Sequence, residues 1–158
     1  MRFAVAVATV VLALSISASA AAGDWADGLE AYDSGDYVGA VKLWRRAADA
    51  GNLDAMTAVA DAHARGLGVA PDLAAAAAWY RRAAERGHTV AQLNLGDMIS
   101  RGAGAERDLV EAYVWLGLTA VAGNAWAARR QGEVRAAMSG EARAAAERRL
   151  QAWRPLAD

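Results

Sequence analysis

The chain has no cysteine, two prolines, one phenylalanine and one lysine in 158 residues. Without cysteine it can form neither a disulfide nor a lipid-modified cysteine, and it lacks the thiolates that most structural zinc sites use. Few prolines and 44 alanines favour helix over sheet, since alanine is the best helix former. The 56% hydrophobic content is inflated by those alanines, so the expected core is one of close helix contacts with few bulky side chains. Lys42 is the only lysine, arginines alternate with acids, and the formal charge is −1. That pattern excludes the concentrated cationic face that nucleic acid requires.

The one long apolar run is at the start. Arg2 provides a positive n-region, Phe3 to Leu14 is almost wholly apolar, and Ser17-Ala-Ser-Ala20 has the small-residue pattern of a signal peptidase site. The run is shorter than the roughly 20 residues a membrane span needs. Residues 1–20 are therefore read as a secretory signal, cleaved after Ala20 or Ala22, with no integral span in the mature chain. The mature protein carries 16 basic and 18 acidic side chains, a formal −2, and is expected to be secreted, in a bacterial periplasm.

What is abundant is repetition. Trp79-Tyr-Arg-Arg-Ala-Ala-Glu-Arg-Gly87 echoes Leu43-Trp-Arg-Arg-Ala-Ala-Asp-Ala-Gly51, 36 residues earlier, and 115–123 is a weaker third copy. Residues 52–87 and 88–123 align without a gap, pairing Ala55 with Ala91, Asp61 with Asp97, Arg65 with Arg101 and Asp72 with Asp108. The register also pairs Gly66 with Gly102, Gly68 with Gly104, Ala76 with Ala112 and Trp79 with Trp115. A fixed period of this size signals stacked repeats.

Helices are expected over 24–33, 36–50, 52–65, 72–86, 88–101 and 108–122. Asp36, Asp72 and Asp108 stand where a helix begins. A carboxylate there accepts from free backbone amides and complements the helix dipole, a stabilisation of about 1 kcal/mol. Capping, not catalysis, explains their recurrence.

Gly66-x-Gly-Val-x-x-Asp72, followed by Ala76, Trp79-Tyr80, Ala83-Ala84 and Gly87, resembles the Sel1-like repeat, a relative of the tetratricopeptide repeat. Residues 25–51 are similar to the shorter tetratricopeptide form through Trp25, Tyr32, Gly35-Asp-Tyr37, Ala40 and Ala47. The third unit departs from the pattern at Leu118-Thr119 and Ala105, and the resemblance fades after Gly123. It implies an all-α fold, a right-handed α-solenoid of antiparallel helix pairs over 24–51, 52–87 and 88–123. Residues 124–158 form a divergent fourth pair acting as a cap. In that cap Ser139-Gly-Glu-Ala142 starts the last helix, Pro155 stops it, and Trp153 packs.

Trp79 and Trp115 are expected to fill the gaps between pairs. Tetratricopeptide-like stacks turn the first helix of each pair toward a concave groove. The resemblance therefore assigns partner contact to Asp61, Arg65, Asn94, Asp97, Ser100 and Arg101, and to Trp126, Arg130 and Glu133 in the last pair. Glu30 and Asp33 take these positions in the first pair. Asp61 with Arg65 and Asp97 with Arg101 have the spacing of intrahelical ion pairs. Trp126, at a position expected to be exposed, suits a binding hot spot or packs beneath the last helix. On this reading Asp97→Arg abolishes partner binding without loss of helicity.

Chemistry is poorly supported. His63 and His88 lie 25 residues apart with no carboxylate cluster, which does not make a zinc site, and no serine lies in a Gly-x-Ser-x-Gly setting. Gly66-x-Gly and Gly102-x-Gly lack the strand and the Lys-Ser/Thr continuation of a phosphate loop. The expectation is a protein without catalytic residues, cofactor or metal. It binds another protein or peptide segment of the envelope, and the resemblance implies an adaptor or regulator in assembly, polysaccharide or signalling systems. The alternatives are a peptidoglycan-binding module using Trp126, or a β-lactam-type hydrolase. The relatives linked to the latter depend on disulfides that this chain cannot make.

Overall fold

The computed structural model describes residues 21–156. The signal-peptide reading of residues 1–20 lies outside the described residues. Among these there are eight helices and no strand: α1 over 21–33, then α2 Tyr37–Asp49, α3 Leu53–Arg65 and α4 Leu73–Glu85. The remainder are α5 Thr89–Arg101, α6 Leu109–Val121, α7 Ala125–Ala136 and α8 Gly140–Ala152. From α2 to α7 each helix packs on the next in sequence, as a solenoid of helix pairs requires, and α8 packs chiefly on α6.

The period is written in the caps. Asp36, Asp72 and Asp108 each accept a backbone N–H three residues on at 2.9 Å, starting α2, α4 and α6. The first helices of the pairs carry a second periodic set, at Asn52, His88 and Asn124. Asn52 and Asn124 cap α3 and α7 at 2.9 Å, and His88 does the same for α5 through Nδ1 at 3.3 Å. Ser139 caps α8 at 3.2 Å, as expected.

Alanine sets the spacing between helices. Ala40, Ala47, Ala55, Ala60, Ala76, Ala83, Ala91 and Ala112 are fully buried, so backbones approach closely and few large side chains are needed. Leu95, Ile99, Leu116 and Val59 are the largest apolar side chains wholly inside. The loops contribute a further repeated contact. At Gly68 a Cβ atom would lie 2.2 Å from the carbonyl oxygen of Tyr37, and at Gly104 it would lie 2.1 Å from that of Leu73. Both glycines have φ of +70° or above, so the same loop rests on the first residue of the preceding pair's second helix.

The tryptophans divide. Trp115 is buried, meets Trp153 edge to face at 6.1 Å, and donates from Nε1 to Glu111 at 3.0 Å. Trp153 thus packs the cap. Trp79, expected to be core like Trp115, is only half-buried, with the Arg82 guanidinium 4.2 Å above its ring. The two positions differ because α8 covers Trp115, whereas Arg82 of its own helix lies over Trp79. Beyond Pro155 the chain runs back along the stack, and Leu156 N–H donates to the Glu85 carbonyl at the end of α4 at 2.8 Å.

Candidate partner-binding groove

Two clefts open along the stack, and they are the same cleft one repeat apart. The first has a volume of about 110 Å³ and the second about 310 Å³. On the first helix of the pair, Ala58, Asp61, Ala62 and Arg65 line the one, and Asn94, Asp97, Met98 and Arg101 line the other, each shifted by 36 residues. On the second helix, Tyr37 and Trp44 correspond to Leu73 and Tyr80. Asp61 and Arg65 border both.

The first cleft is aromatic. Tyr32 lies 5.1 Å from Tyr37 and 5.6 Å from Trp44, ring centre to ring centre, and Trp44 packs on through Trp25 at 6.0 Å. Trp44 Nε1 is buried and finds no hydrogen-bond partner, because that edge of the ring lies against Gly28 of α1. Tyr37 stays exposed at the rim.

The second cleft is polar. The Tyr80 hydroxyl donates to Asp61 Oδ1 across α3 and α4. Burial, then the bond and charge of Asp61, push the Tyr80 phenol well above its ordinary range, while Arg65 and Asn94 oppose the shift. Asp61 is therefore committed to Tyr80, and no ion pair between Asp61 and Arg65 occurs among the described residues, in contrast to the expected intrahelical pair. Asp97 and Arg101 do form theirs. Asp97 also receives Arg130 Nε of α7 at 3.1 Å.

Arg130 stands at the position of Asn94 in the next unit, and it closes what would be a third cleft. Its guanidinium donates to Glu133 at 2.6 Å and to Ser100 Oγ at 2.9 Å as well as to Asp97. Glu133 foremost, and Asp97 after it, raise the Arg130 pKa against the opposing effect of partial burial. Leu116 and Val134, which stand where Tyr80 and Met98 do one repeat earlier, are buried in the core.

The nine residues assigned to a groove from sequence thus separate into groups. Asp61, Arg65, Asn94, Asp97 and Arg101 are brought together along the two clefts. Ser100 was expected on the free surface, but it is 5% exposed, donates to the Asp97 carbonyl at 2.7 Å and accepts from Arg130. It is held inside because Arg130 lies over it. Arg130 forms the joint between α5 and α7, and Glu133 bonds to Arg130 within α7. Trp126 is 43% exposed and lines neither cleft; with Val90, its counterpart one repeat earlier, it marks the edge where α5 and α7 begin. The aromatic contributors Tyr32, Tyr37 and Trp44, and Tyr80, are not among the residues assigned to the groove from sequence. Their 36-residue correspondence was available as a signal, but a stripe at helical spacing does not reveal which ring edge remains uncovered.

The histidines are engaged within the stack. His63 Nε2 meets Arg45 at 2.9 Å, and His88 bridges Thr57 and Asp54 at 3.0 Å each while capping α5. No group of three or more histidine, aspartate or glutamate side chains suited to a metal ion occurs among the described residues. None of their helices is long and apolar enough to cross a membrane.

These features define an α-solenoid of two-helix repeats that offers a recurring lateral cleft. The chain belongs to the Sel1 repeat family, which it matches over residues 19–52, 53–88 and 89–124. Among solved structures it is similar to c5321, a protective antigen of uropathogenic Escherichia coli strains displaying an SLR fold. The identity is 28% and the TM-score 0.77, over 84% of this chain and 29% of that one. It is also similar to a Sel1 repeat protein from Oxalobacter formigenes, at 30% identity and a TM-score of 0.64, over 70% of this chain and 46% of that one. The chain therefore spans less than half the length of either structure. No curated protein gives a significant match.

Proposed function

We propose that this Sel1 repeat scaffold is an exported, non-catalytic adaptor or regulator of the cell envelope, which holds a segment of a partner protein in the groove formed by α3, α5 and their flanking helices. The observation that carries this reading is the recurrence of one cleft at two successive repeats, with the interior carboxylates already bonded and Tyr37 and Arg65 left exposed at its edge. A surface that reads an extended partner needs equivalent sites at a regular rise, and a repeat stack supplies them. Export rests on the apolar segment at 3–14 and the Ser17-Ala-Ser-Ala20 pattern.

The test is site-specific photo-cross-linking in the envelope of the producing cell. A photoreactive residue at Asn94 is expected to capture a discrete partner, whereas one at the exposed Ala78 of α4 is not. Capture from Ala78 with none from Asn94 would place the interaction on another face. Cell fractionation of the tagged chain checks the export step independently.

A further inference from the structure

Resting on the groove reading, we infer that the partner segment is an extended peptide with a bulky apolar side chain at one position and an acidic side chain two residues away. The apolar group enters the cleft of Tyr32, Tyr37 and Trp44, and the carboxylate meets Arg65.

The charges of the groove decide the sign. Of the two carboxylates that border the clefts, Asp97 is paired with Arg101 and Arg130, and Asp61 accepts the Tyr80 hydroxyl on Oδ1. Arg101 is in turn bonded to Asp97. Arg65 is exposed, borders both clefts, and enters no ion pair among the described residues. An uncommitted guanidinium between two clefts favours an anion, and its planar donor fork suits a carboxylate. A partner lysine or arginine, by contrast, would find Asp97 already paired with two guanidinium groups and, at Asp61, would face Arg65.

The aromatic floor sets the neighbouring requirement. Three rings meet within 5.1–5.6 Å, with Tyr37 still exposed, so an apolar side chain seated there removes ring surface from water on both sides. In an extended peptide, side chains on one face recur every second residue, about 7 Å apart. Arg65, which borders the aromatic cleft and the second cleft alike, is the charged group next along the groove for such a chain. Asn94 lines the second cleft beside Tyr80, and Arg130 closes the groove beyond Asp97.

The experiment is selection of a displayed library of random heptapeptides on the immobilised mature protein, followed by affinity measurement on synthetic copies of enriched sequences. Enrichment of a bulky apolar residue followed two positions later by Asp or Glu is expected. Arg65→Glu should weaken such a peptide about tenfold or more, with binding restored when the peptide acid is changed to lysine, and Tyr37→Ala should weaken it through the apolar arm. Arg65→Gln, which keeps a neutral polar side chain at this exposed position, should weaken binding without the lysine rescue. Enriched peptides that lack an acid yet lose binding on Asn94→Arg would overturn the inference and leave the groove reading intact. Binding indifferent to Arg65, Tyr37 and Asn94 substitutions, or no enrichment, would also overturn it; the cross-linking comparison then judges the groove separately.

Discussion

Arg130 of α7 donates from Nε to Asp97 Oδ1 of α5 at 3.1 Å, joining the terminal pair to the repeats. The Asp97 side chain is 17% exposed and that of Arg130 25%, so the pair is screened less than a surface pair but is not buried. Reversing the charge with Asp97→Arg would set three guanidinium groups together. We therefore expect a loss of about 1–3 kcal/mol and a melting point several degrees lower, with helicity at room temperature retained. Urea denaturation of Asp97→Ala, Arg130→Ala and the double variant should give a coupling near 1 kcal/mol. This changes the meaning of Asp97→Arg as a binding test: any loss of affinity would include a loosened cap, which makes Arg65 and Asn94 the better probes.

Gly104→Ala and Gly123→Ala separate close approach from backbone strain. Both positions have positive φ, +74° and +94°, so each substitution carries the left-handed penalty of roughly 1–2 kcal/mol. Only at Gly104 would the new Cβ fall 2.1 Å from the Leu73 carbonyl, whereas nothing lies within 4 Å at Gly123. Gly104→Ala should therefore cost about 2 kcal/mol more than Gly123→Ala in urea midpoints, because the loop must lift from the preceding unit. Equal losses would mean that the loop seat is soft.

The fold was legible because the residues that build it recur. Asp36, Asp72 and Asp108, the loop glycines and the small alanines each do one local task, and each task leaves a mark at a fixed spacing. The groove was legible in part. Asp61 and Asp97 occupy the same position and do different things, since Tyr80 stands across from one and Arg130 from the other. Those differences lie in contacts 19 and 33 residues away, which no intrahelical spacing rule contains. Ser100 shows the same limit, because its burial depends on a side chain from the next pair. The aromatic cleft was hidden for another reason: Tyr32 and Trp44 do pack on the core, and the exposed Tyr37 beside them opens the site.

Tyr80 should give the chain a particular alkaline response. The ordinary tyrosine value is about 10, and burial with the Asp61 bond raises it in the folded protein. A raised folded value means that the stabilisation is fully present below about pH 10 and declines above it, as the unfolded chain releases the proton that the folded chain keeps. The stability difference between wild type and Tyr80→Phe is therefore expected to be flat between roughly pH 6 and 9 and to shrink above about pH 10. Phenolate absorbance, taken as the difference from Tyr80→Phe, should emerge only with unfolding. Its appearance near pH 10 in the native protein would show that the Asp61 contact does not hold the proton.

His88 is the odd member of a capping set that otherwise consists of asparagines. Asn52 and Asn124 accept the amide of the third residue of α3 and α7, Ala55 and Ala127, and His88 Nδ1 accepts that of Ala91 in α5 while also meeting Thr57 Oγ1 at 3.0 Å. Its Nε2 faces Asp54 at 3.0 Å, so one ring connects α5 to the helix of the preceding unit. If capping is the main contribution, His88→Asn should keep stability within about 0.5 kcal/mol, and His88→Ala should lose roughly 1–2 kcal/mol. If the bridge to Asp54 and Thr57 contributes most, the two variants should lose similar amounts, and Asp54→Ala should reproduce much of the loss in wild type but little in His88→Ala. Because the Asp54 side chain is 66% exposed and its ion pair is correspondingly screened, the first pattern is expected from chemical denaturation at neutral pH.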